Sequence, residues 1–267
     1  MCKIEKFIMP KTGDSDKCED MLVETEYFCA VIDGVTSKYD TSFDGKAGGR
    51  KAAEIIAKII EGLDEKAEAN TVFHLLNDAL KKACEEYNVE VGKHLQACVI
   101  IYSKYYKEIW NYGDCTLMIN GKEYRHEKAI DGILEGLRAF VIYSYLKDGG
   151  KPEELYKNDI GRDAILPYLK MQTAFANEKG YFGYPVLNGD KIVEESIIKY
   201  KVKTGDRVIL ASDGYPRLFP TLKESEEYLK KVLENDPLSI CDNMQTKMTA
   251  KDNLSFDDRT YFSFTAE

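Results

Sequence analysis

AVIDGV, residues 30–35, is an apolar strand that stops abruptly at an Asp-Gly pair. The string ILASDGY at 209–215 repeats this design, and SFDDRTYFSF at 255–264 places two aspartates directly before a final strand. An isolated Asp-Gly pair is usually a turn, because Asp caps its own backbone and Gly supplies a positive φ. Here, however, three aspartates sit at strand ends: Asp33, Asp213 and Asp257. Carboxylates that come together repel each other unless a cation neutralises them, so the pattern predicts a cation site.

The chain around the first Asp-Gly pair carries both strand and helix patterns. Residues 3–9 and 21–32 are rich in β-branched and aromatic residues and predict strands that lead into this pair. Apolar residues recur at three- and four-residue spacing over 48–63 and 75–87, which predicts two amphipathic helices packed on one sheet. Residues 97–124 read as short strands separated by polar or glycine turns, which indicates an antiparallel meander.

The second half of the chain begins with helix patterns and returns to strands. A wide apolar stripe with helical spacing predicts a helical insertion between the sheets at about 127–180. Strand patterns resume at 192–203 and 207–211. A helix pattern at 223–234 then precedes the last strand at 259–264.

No internal repeat, linker or low-complexity tract divides the sequence, so we expect a single domain that spans 1–267. The order of elements predicts segregated α+β architecture. We expect a four-layer sandwich in which two packed antiparallel β-sheets are flanked by α-helices. The polar ends of the strands are where a functional site would lie.

Composition narrows the classes of function. Hydrophobic residues make up 44% of the chain and charged residues 31%, which is typical of a globular protein with a sizeable core. The net charge of -9 argues against nucleic acid as a partner, because phosphate backbones demand clustered Lys and Arg. The longest apolar run, about 139–146, is too short for a membrane span, and the start MCKIEKF lacks the apolar stretch of a signal peptide. We therefore expect a cytoplasmic protein with no membrane partner.

Several rival chemistries lack their sequence signatures. The 7 cysteines are scattered without CxxC spacing and none is followed six positions later by arginine, so neither a disulfide framework nor thiolate phosphate chemistry is predicted. A nucleotide-binding GxxxxGK[ST] loop is also missing from the sequence. The 3 histidines, at 74, 94 and 126, fit no zinc motif. Carboxylate, carbonyl and water oxygens suit Mg²⁺ or Mn²⁺ better than zinc.

Five short motifs give the sequence a resemblance to the metal-dependent serine/threonine phosphatases of the protein phosphatase 2C type. In chain order they are Cys18-Glu19-Asp20, Val31-Ile32-Asp33-Gly34, Tyr112-Gly113-Asp114-Cys115, Ala211-Ser212-Asp213-Gly214 and Asp257-Asp258-Arg259-Thr260. The two helices after the second motif and the meander before the third also match that fold. The resemblance covers nearly the whole chain, except that 127–180 is more helical than the family pattern.

The resemblance implies a metal-dependent phosphatase that hydrolyses phosphomonoesters, with phosphoserine and phosphothreonine on proteins as substrates. Two Mn²⁺ or Mg²⁺ ions would activate a shared water for in-line attack. Asp33 would bridge the ions, with Gly34 as a backbone-carbonyl ligand and Glu19 as a water-mediated ligand of one ion. Asp213 and Asp257 would hold the other ion. The resemblance also marks residues that would orient waters or hold a third ion: Asp20, Asp114 and Asp258.

Phosphate recognition departs from the family pattern. The family places an arginine four residues before the Glu of the first motif, and this chain has Ser15 there. Nearby it offers only Lys11 and Lys17, which supply charge without the planar fork of arginine.

A second departure lies beyond the fourth motif. Arg217 stands where the family commonly has the aspartate that serves a third ion. We hypothesise that Arg217 binds phosphate instead; the alternative is an exposed arginine that covers neighbouring apolar side chains. These departures keep a second function open: a catalytically weak or inactive module that binds phosphoproteins or serves as a scaffold.

Overall fold

The computed structural model describes residues 4–39 and 41–267. The strands in these residues are β1 (Glu5–Met9), β2 (Asp20–Glu24), β3 (Phe28–Gly34), β4 (Ala97–Ser103), β5 (Glu108–Tyr112), β6 (Thr116–Ile119), β7 (Lys122–Tyr124), β8 (Ile198–Lys201), β9 (Arg207–Ala211) and β10 (Arg259–Thr265). The helices are α1 (Gly48–Glu61), α2 (Ala69–Glu86), α3 (Ala129–Lys147), α4 (Pro152–Leu155), α5 (Ile160–Met171) and α6 (Leu222–Asn235).

Two five-stranded sheets form the centre of the fold. One has the order β2-β3-β4-β5-β8 and the other the order β1-β10-β9-β6-β7, and neighbouring strands are antiparallel throughout. Helices α1 and α2 cover the outer face of the first sheet, and the start of α6 packs against the outer face of the second through Leu222. The predicted α+β sandwich of two antiparallel sheets flanked by helices is confirmed.

Strand β3 is buried on both faces, and the alternating directions of its side chains determine which face Asp33 points to. Phe28, Ala30 and Ile32 contact the helices, whereas Cys29 and Val31 contact the second sheet. Because successive side chains of a strand point to opposite faces, Asp33 continues the row that faces the second sheet.

The same alternation operates in β9. Val208 and Leu210 lie in the core between the sheets, and Ile209 and Ala211 lie on the outer face. The strand then ends, and the chain turns through Asp213. The ends of β3 and β9 therefore open at the same edge of the sandwich.

Two sequence predictions differ from the structure in extent. The strand predicted at 192–203 is limited to β8, because the Val193 N–H donates to the Tyr112 hydroxyl (3.1 Å) and residues 194–196 form a 3-10 turn. The strand predicted at 3–9 is observed as β1, while Lys3 lies outside the described residues.

Helices α3 to α5 occupy the segment that the sequence predicts to be helical. Of the helices in the described part of the chain, none is long and apolar enough to cross a membrane.

Candidate functional site

Asp33 and Asp213 meet at the edge of the sandwich where β3 and β9 end. The backbone N–H of Asp213 donates to Oδ2 of Asp33 at 3.3 Å, although the two residues lie 180 positions apart in the chain. Both line a cavity of about 180 Å³, together with Asp114 and Asp257. The structure thus brings together two of the aspartates that the sequence singles out.

Asp33 and Asp213 lie close together without a directly contacting cationic side chain in the described residues. In residues 4–39 and 41–267, no Lys or Arg forms an ion pair with either carboxylate. Burial, followed by the charge of Asp213, raises the pKa of Asp33 well above its usual range. Burial, followed by Asp257 and Asp114, raises the pKa of Asp213 to about 7. This oxygen-donor pair is the chemistry that a hard divalent cation fits.

Glu19 lies beside Asp33 at the point where three backbone segments converge. The N–H of Gly34 donates to the carbonyl of Glu19 (3.2 Å). A Cβ on Gly34 would lie 2.3 Å from the carbonyl oxygen of Gly49, so only glycine permits the approach of α1. The Glu19 side chain is buried; its Oε2 accepts from the Thr36 hydroxyl (2.6 Å), while its Oε1 has no hydrogen-bond partner in the described part of the chain. Thr36 belongs to no motif, so no signal in the sequence marks it as part of the site.

Asp20 connects the two sheets. It lies opposite Asp33 in the ladder between β2 and β3. Its Oδ2 accepts from the hydroxyls of Ser212 (2.6 Å), which directly follows β9, and of Thr260 (2.8 Å), which lies in β10. Burial raises the pKa of Asp20 well above its usual range. Asp20 therefore holds the strands that position Asp33 and Asp213, a role that the hydroxyl residues inside the fourth and fifth motifs could have indicated.

Asp257 is neutralised by lysines. Its Oδ1 is 3.0 Å from Nζ of Lys11, and its Oδ2 is 2.5 Å from Nζ of Lys247. Burial opposes ionisation, yet Lys247 and Lys11 hold the pKa of Asp257 well below its usual range. Lys11 also lies 3.3 Å from Glu19 Oε2 and 3.5 Å from Asp258 Oδ2, so its ammonium sits among three carboxylates. Lys247 has no sequence signal that would have identified it.

Asp258 and Asp114 are also engaged by protein groups. Asp258 accepts from the backbone N–H of Lys11 (2.7 Å) and of Glu19 (2.9 Å), which fixes the loop before β2. Asp114 forms an ion pair with Lys128, which precedes α3. Burial opposes ionisation of Asp114, but Lys128 lowers its pKa.

The predicted metal ligands thus divide into two groups. Asp33 and Asp213 fit a cation, whereas Glu19 and Asp257 already contact the ammonium of Lys11. Within the described residues, no three Asp, Glu, His or Cys side chains converge closely enough to hold a metal ion. A two-ion centre that uses Glu19 and Asp257 therefore requires Lys11 to move away from both carboxylates and Lys247 to release Asp257.

Two of the predicted phosphate-binding cations lie away from the cavity. Lys17 is exposed and is 3.5 Å from Asp14. Arg217 is exposed, and its guanidinium lies over the ring of Phe219, 5.2 Å from the ring centroid. The basic residues that line the cavity are Lys38, Lys128, Arg162 and Lys247.

Comparisons with known proteins define the fold. No model of a known protein family matches the sequence, and no curated protein shows significant sequence similarity to it. Among solved structures, the chain is similar to the serine/threonine phosphatase PstP/Ppp of Mycobacterium tuberculosis, with 14% identity, a TM-score of 0.51 and coverage of 99% of this chain and 98% of that chain.

Two further phosphatases show the same likeness. The PPM Ser-Thr phosphatase MsPP of Mycobacterium smegmatis has 12% identity and a TM-score of 0.51, with 99% and 98% of the two chains covered. The serine/threonine phosphatase Stp1 of Staphylococcus aureus has 15% identity and a TM-score of 0.50, with 100% and 96% covered. The chain therefore has the fold of the PPM serine/threonine phosphatases, and the resemblance seen in the sequence is confirmed for the fold.

Proposed function

We propose that this protein hydrolyses phosphomonoesters in a reaction that depends on a divalent cation, Mn²⁺ or Mg²⁺, with phosphoserine and phosphothreonine on proteins as its substrates. The observation that carries the proposal is the uncompensated pair Asp33 and Asp213 at the open edge of a phosphatase fold. Two adjacent half-buried carboxylates without an ion pair repel each other, and a bound cation would relieve this repulsion.

Asp33 and Asp213 would hold the cation, and the family pattern adds Gly34, Glu19 and Asp257 as ligands of a two-ion centre. When bound, such an ion lowers the pKa of a coordinated water towards neutrality and polarises a phosphoryl oxygen. The chain's own contribution is positioning, because Asp20 joins the strands that carry Asp33 and Asp213 through two hydroxyl groups.

One observation supports the alternative function. The ammonium of Lys11 lies within 3.5 Å of carboxylate oxygens of Glu19, Asp257 and Asp258, where it competes with a metal ion for the same ligands. A chain that keeps this arrangement would lack a two-ion centre, as the alternative of a phosphoprotein-binding or scaffold module without hydrolysis requires.

Turnover of an aryl phosphate and of a phosphothreonine peptide, each with Mn²⁺, Mg²⁺ or EDTA, separates the two functions. If the protein is a metal-dependent phosphatase, it hydrolyses both the aryl phosphate and the peptide with Mn²⁺ or Mg²⁺, and hydrolysis stops in EDTA. Peptide binding without turnover under any metal condition would favour the binding module. Hydrolysis that continues unchanged in EDTA would contradict the proposed cation dependence.

Divalent metal is expected to stabilise the folded protein, because binding to Asp33 and Asp213 relieves their repulsion and is absent from the unfolded chain. At a metal concentration of about 100 times Kd, the gain of ~2.7 kcal/mol corresponds to a rise in Tm of roughly 5 to 10 °C. Differential scanning calorimetry with Mn²⁺, Mg²⁺ or EDTA measures it. Equal Tm values in all three conditions would contradict the cation site.

Lys11→Met is expected to strengthen metal binding and to weaken the metal-free fold. Removal of the ammonium frees Glu19 for a cation and leaves Asp257 with its ion pair to Lys247. Without metal, the buried Glu19 carboxylate loses its ion pair, at a cost of about 3 kcal/mol. Titration calorimetry with Mn²⁺ should show a lower Kd or a second bound ion.

Lys17→Met is the matched control for Lys11→Met, because Lys17 lies in the same segment, is exposed, and its ammonium pairs with the exposed Asp14. It should leave both metal affinity and Tm unchanged. An unaltered Mn²⁺ isotherm for Lys11→Met, with Tm also unchanged in EDTA, would show that the ammonium does not compete for these ligands.

A further inference from the structure

Two of the cations that line the cavity, Lys38 and Arg162, form no ion pair with a carboxylate in residues 4–39 and 41–267. Nζ of Lys38 donates to the carbonyl of Thr36 (2.8 Å), and Nη1 of Arg162 donates to the carbonyl of Thr246 (2.9 Å). In the described residues, neither forms an ion pair, and the other two cations of the cavity are paired with carboxylates. Within the described residues, the cavity therefore holds two cations without an ion pair, Lys38 and Arg162, as well as two aspartates without one, Asp33 and Asp213.

Burial disfavours the ionised forms of Lys38 and Arg162. Burial, followed by the positive charges of Lys128, Lys247 and Arg162, lowers the pKa of Lys38 to about 8. Burial also lowers the pKa of Arg162. Cations kept close together in a partly buried site are unfavourable unless an anion binds between them.

Arg162 lies in the first turn of α5, which holds its backbone in place. Its backbone N–H donates to Oδ1 of Asp159, the residue that caps α5 (2.9 Å). The hydrogen bond to Thr246 uses Nη1, and the described residues provide no acceptor for Nε or Nη2. The guanidinium therefore keeps donors with which to bind a tetrahedral oxyanion.

We propose that Lys38 and Arg162 bind the phosphate group of the substrate, in place of the arginine that the sequence lacks at position 15. The inference rests on the proposed function and assigns its phosphate site. Both side chains line the same cavity of about 180 Å³ as Asp33 and Asp213. Since a water molecule takes up about 30 Å³ of liquid volume, this cavity has room for a phosphate group beside a cation. The helical segment thus supplies a substrate-binding residue that the motifs do not contain.

Binding of inorganic phosphate in the presence of Mg²⁺, measured by titration calorimetry, tests the proposal without requiring turnover. Arg162→Gln removes the charge but keeps a donor for Thr246, and Lys38→Met removes the charge of Lys38. Each should weaken phosphate binding by about ten- to a hundredfold, the loss expected for a hydrogen bond to a charged group. Arg162→Lys should fall between wild type and Arg162→Gln, because it keeps the charge without the fork.

Two controls separate the site from general electrostatics. Lys170→Met removes one charge from α5 at an exposed position outside this cavity, and it should leave phosphate affinity unchanged. Arg217→Met tests the competing candidate and should also have no effect. A loss in Arg217→Met with none in Arg162→Gln and Lys38→Met would overturn the assignment, as would equal losses in Lys170→Met and Arg162→Gln.

The outcomes also distinguish this inference from the proposed function. Phosphate binding that depends on Lys38 and Arg162 in a protein without turnover would support the site and refute catalysis. Turnover by the wild type, with phosphate affinity unchanged in all variants, would support catalysis and refute the phosphate site at Lys38 and Arg162. If circular dichroism shows that Arg162→Gln does not fold, Lys38→Met and Arg162→Lys test the proposal instead. Unchanged phosphate affinity in both of these variants would overturn it. Absence of phosphate binding by the wild type with Mg²⁺ would also overturn it.

Discussion

Asp33→Asn and Asp213→Asn are each expected to lower kcat/KM for an aryl phosphate by about a thousandfold or more. Asn keeps the volume of the side chain but removes the charge that holds the cation. A metal ion contributes several kcal/mol to transition-state stabilisation, and each ~1.4 kcal/mol is a factor of ten in rate. Steady-state kinetics at saturating Mn²⁺ measure the loss, and calorimetric titration should show weaker Mn²⁺ binding in the same variants.

Although Asp33→Asn and Asp213→Asn should lower kcat/KM, they should raise the stability of the metal-free protein. In EDTA, each Asn variant should melt at a higher temperature than the wild type, because it lacks one of two repelling carboxylates. Its Tm should respond less to Mn²⁺. Asp78→Asn, at an exposed position in α2, is the matched control and should preserve activity, metal response and Tm. Wild-type turnover by the Asp33 and Asp213 variants would exclude these residues from the active site.

Arg138→Met is expected to cost about 4 kcal/mol of unfolding free energy, the largest stability loss that we predict. Arg138 is fully buried in α3 and forms an ion pair with Asp159 at 2.9 Å. Its guanidinium also donates to the carbonyls of Leu238, Ser239 and Gln245 at 3.0 to 3.1 Å. Met fills the volume but leaves a carboxylate and three carbonyl groups without their donor.

Urea denaturation of Arg138→Met and of the wild type measures this difference. Arg207→Met is the control, because Arg207 is exposed and its ion pair with Glu5 spans 3.9 Å, so the loss should stay below about 1 kcal/mol. Since Asp159 caps α5 and bonds Arg162, Arg138→Met should also weaken phosphate binding. A loss in Arg138→Met that also stays below about 1 kcal/mol would show that the buried network adds little stability.

Much of the fold follows from local patterns in the sequence. The alternation of β3 and the helical spacing of α1 and α2 depend on neighbours a few positions apart, and they predict the first sheet and its helices. Local patterns do not predict the shorter extent of β8. The Val193 N–H before this strand donates to the hydroxyl of Tyr112, which lies on another strand. Local patterns predict which segments form strands, but contacts with other elements decide where each strand ends.

The candidate site divides in a similar way. By itself, the sequence determines that Asp33 and Asp213 end two apolar strands, because an abrupt change from apolar to polar residues places a carboxylate at a strand end. Only the tertiary structure decides which cations meet which carboxylates. Lys11 and Asp257 are 246 positions apart, and their contact depends on the pairing of β1 with β10. Lys38 and Arg162 likewise belong to separate segments that line one cavity. Charge pairing acts through space and leaves no periodic trace along the chain, so the sequence reveals the carboxylates of this site but not their partners.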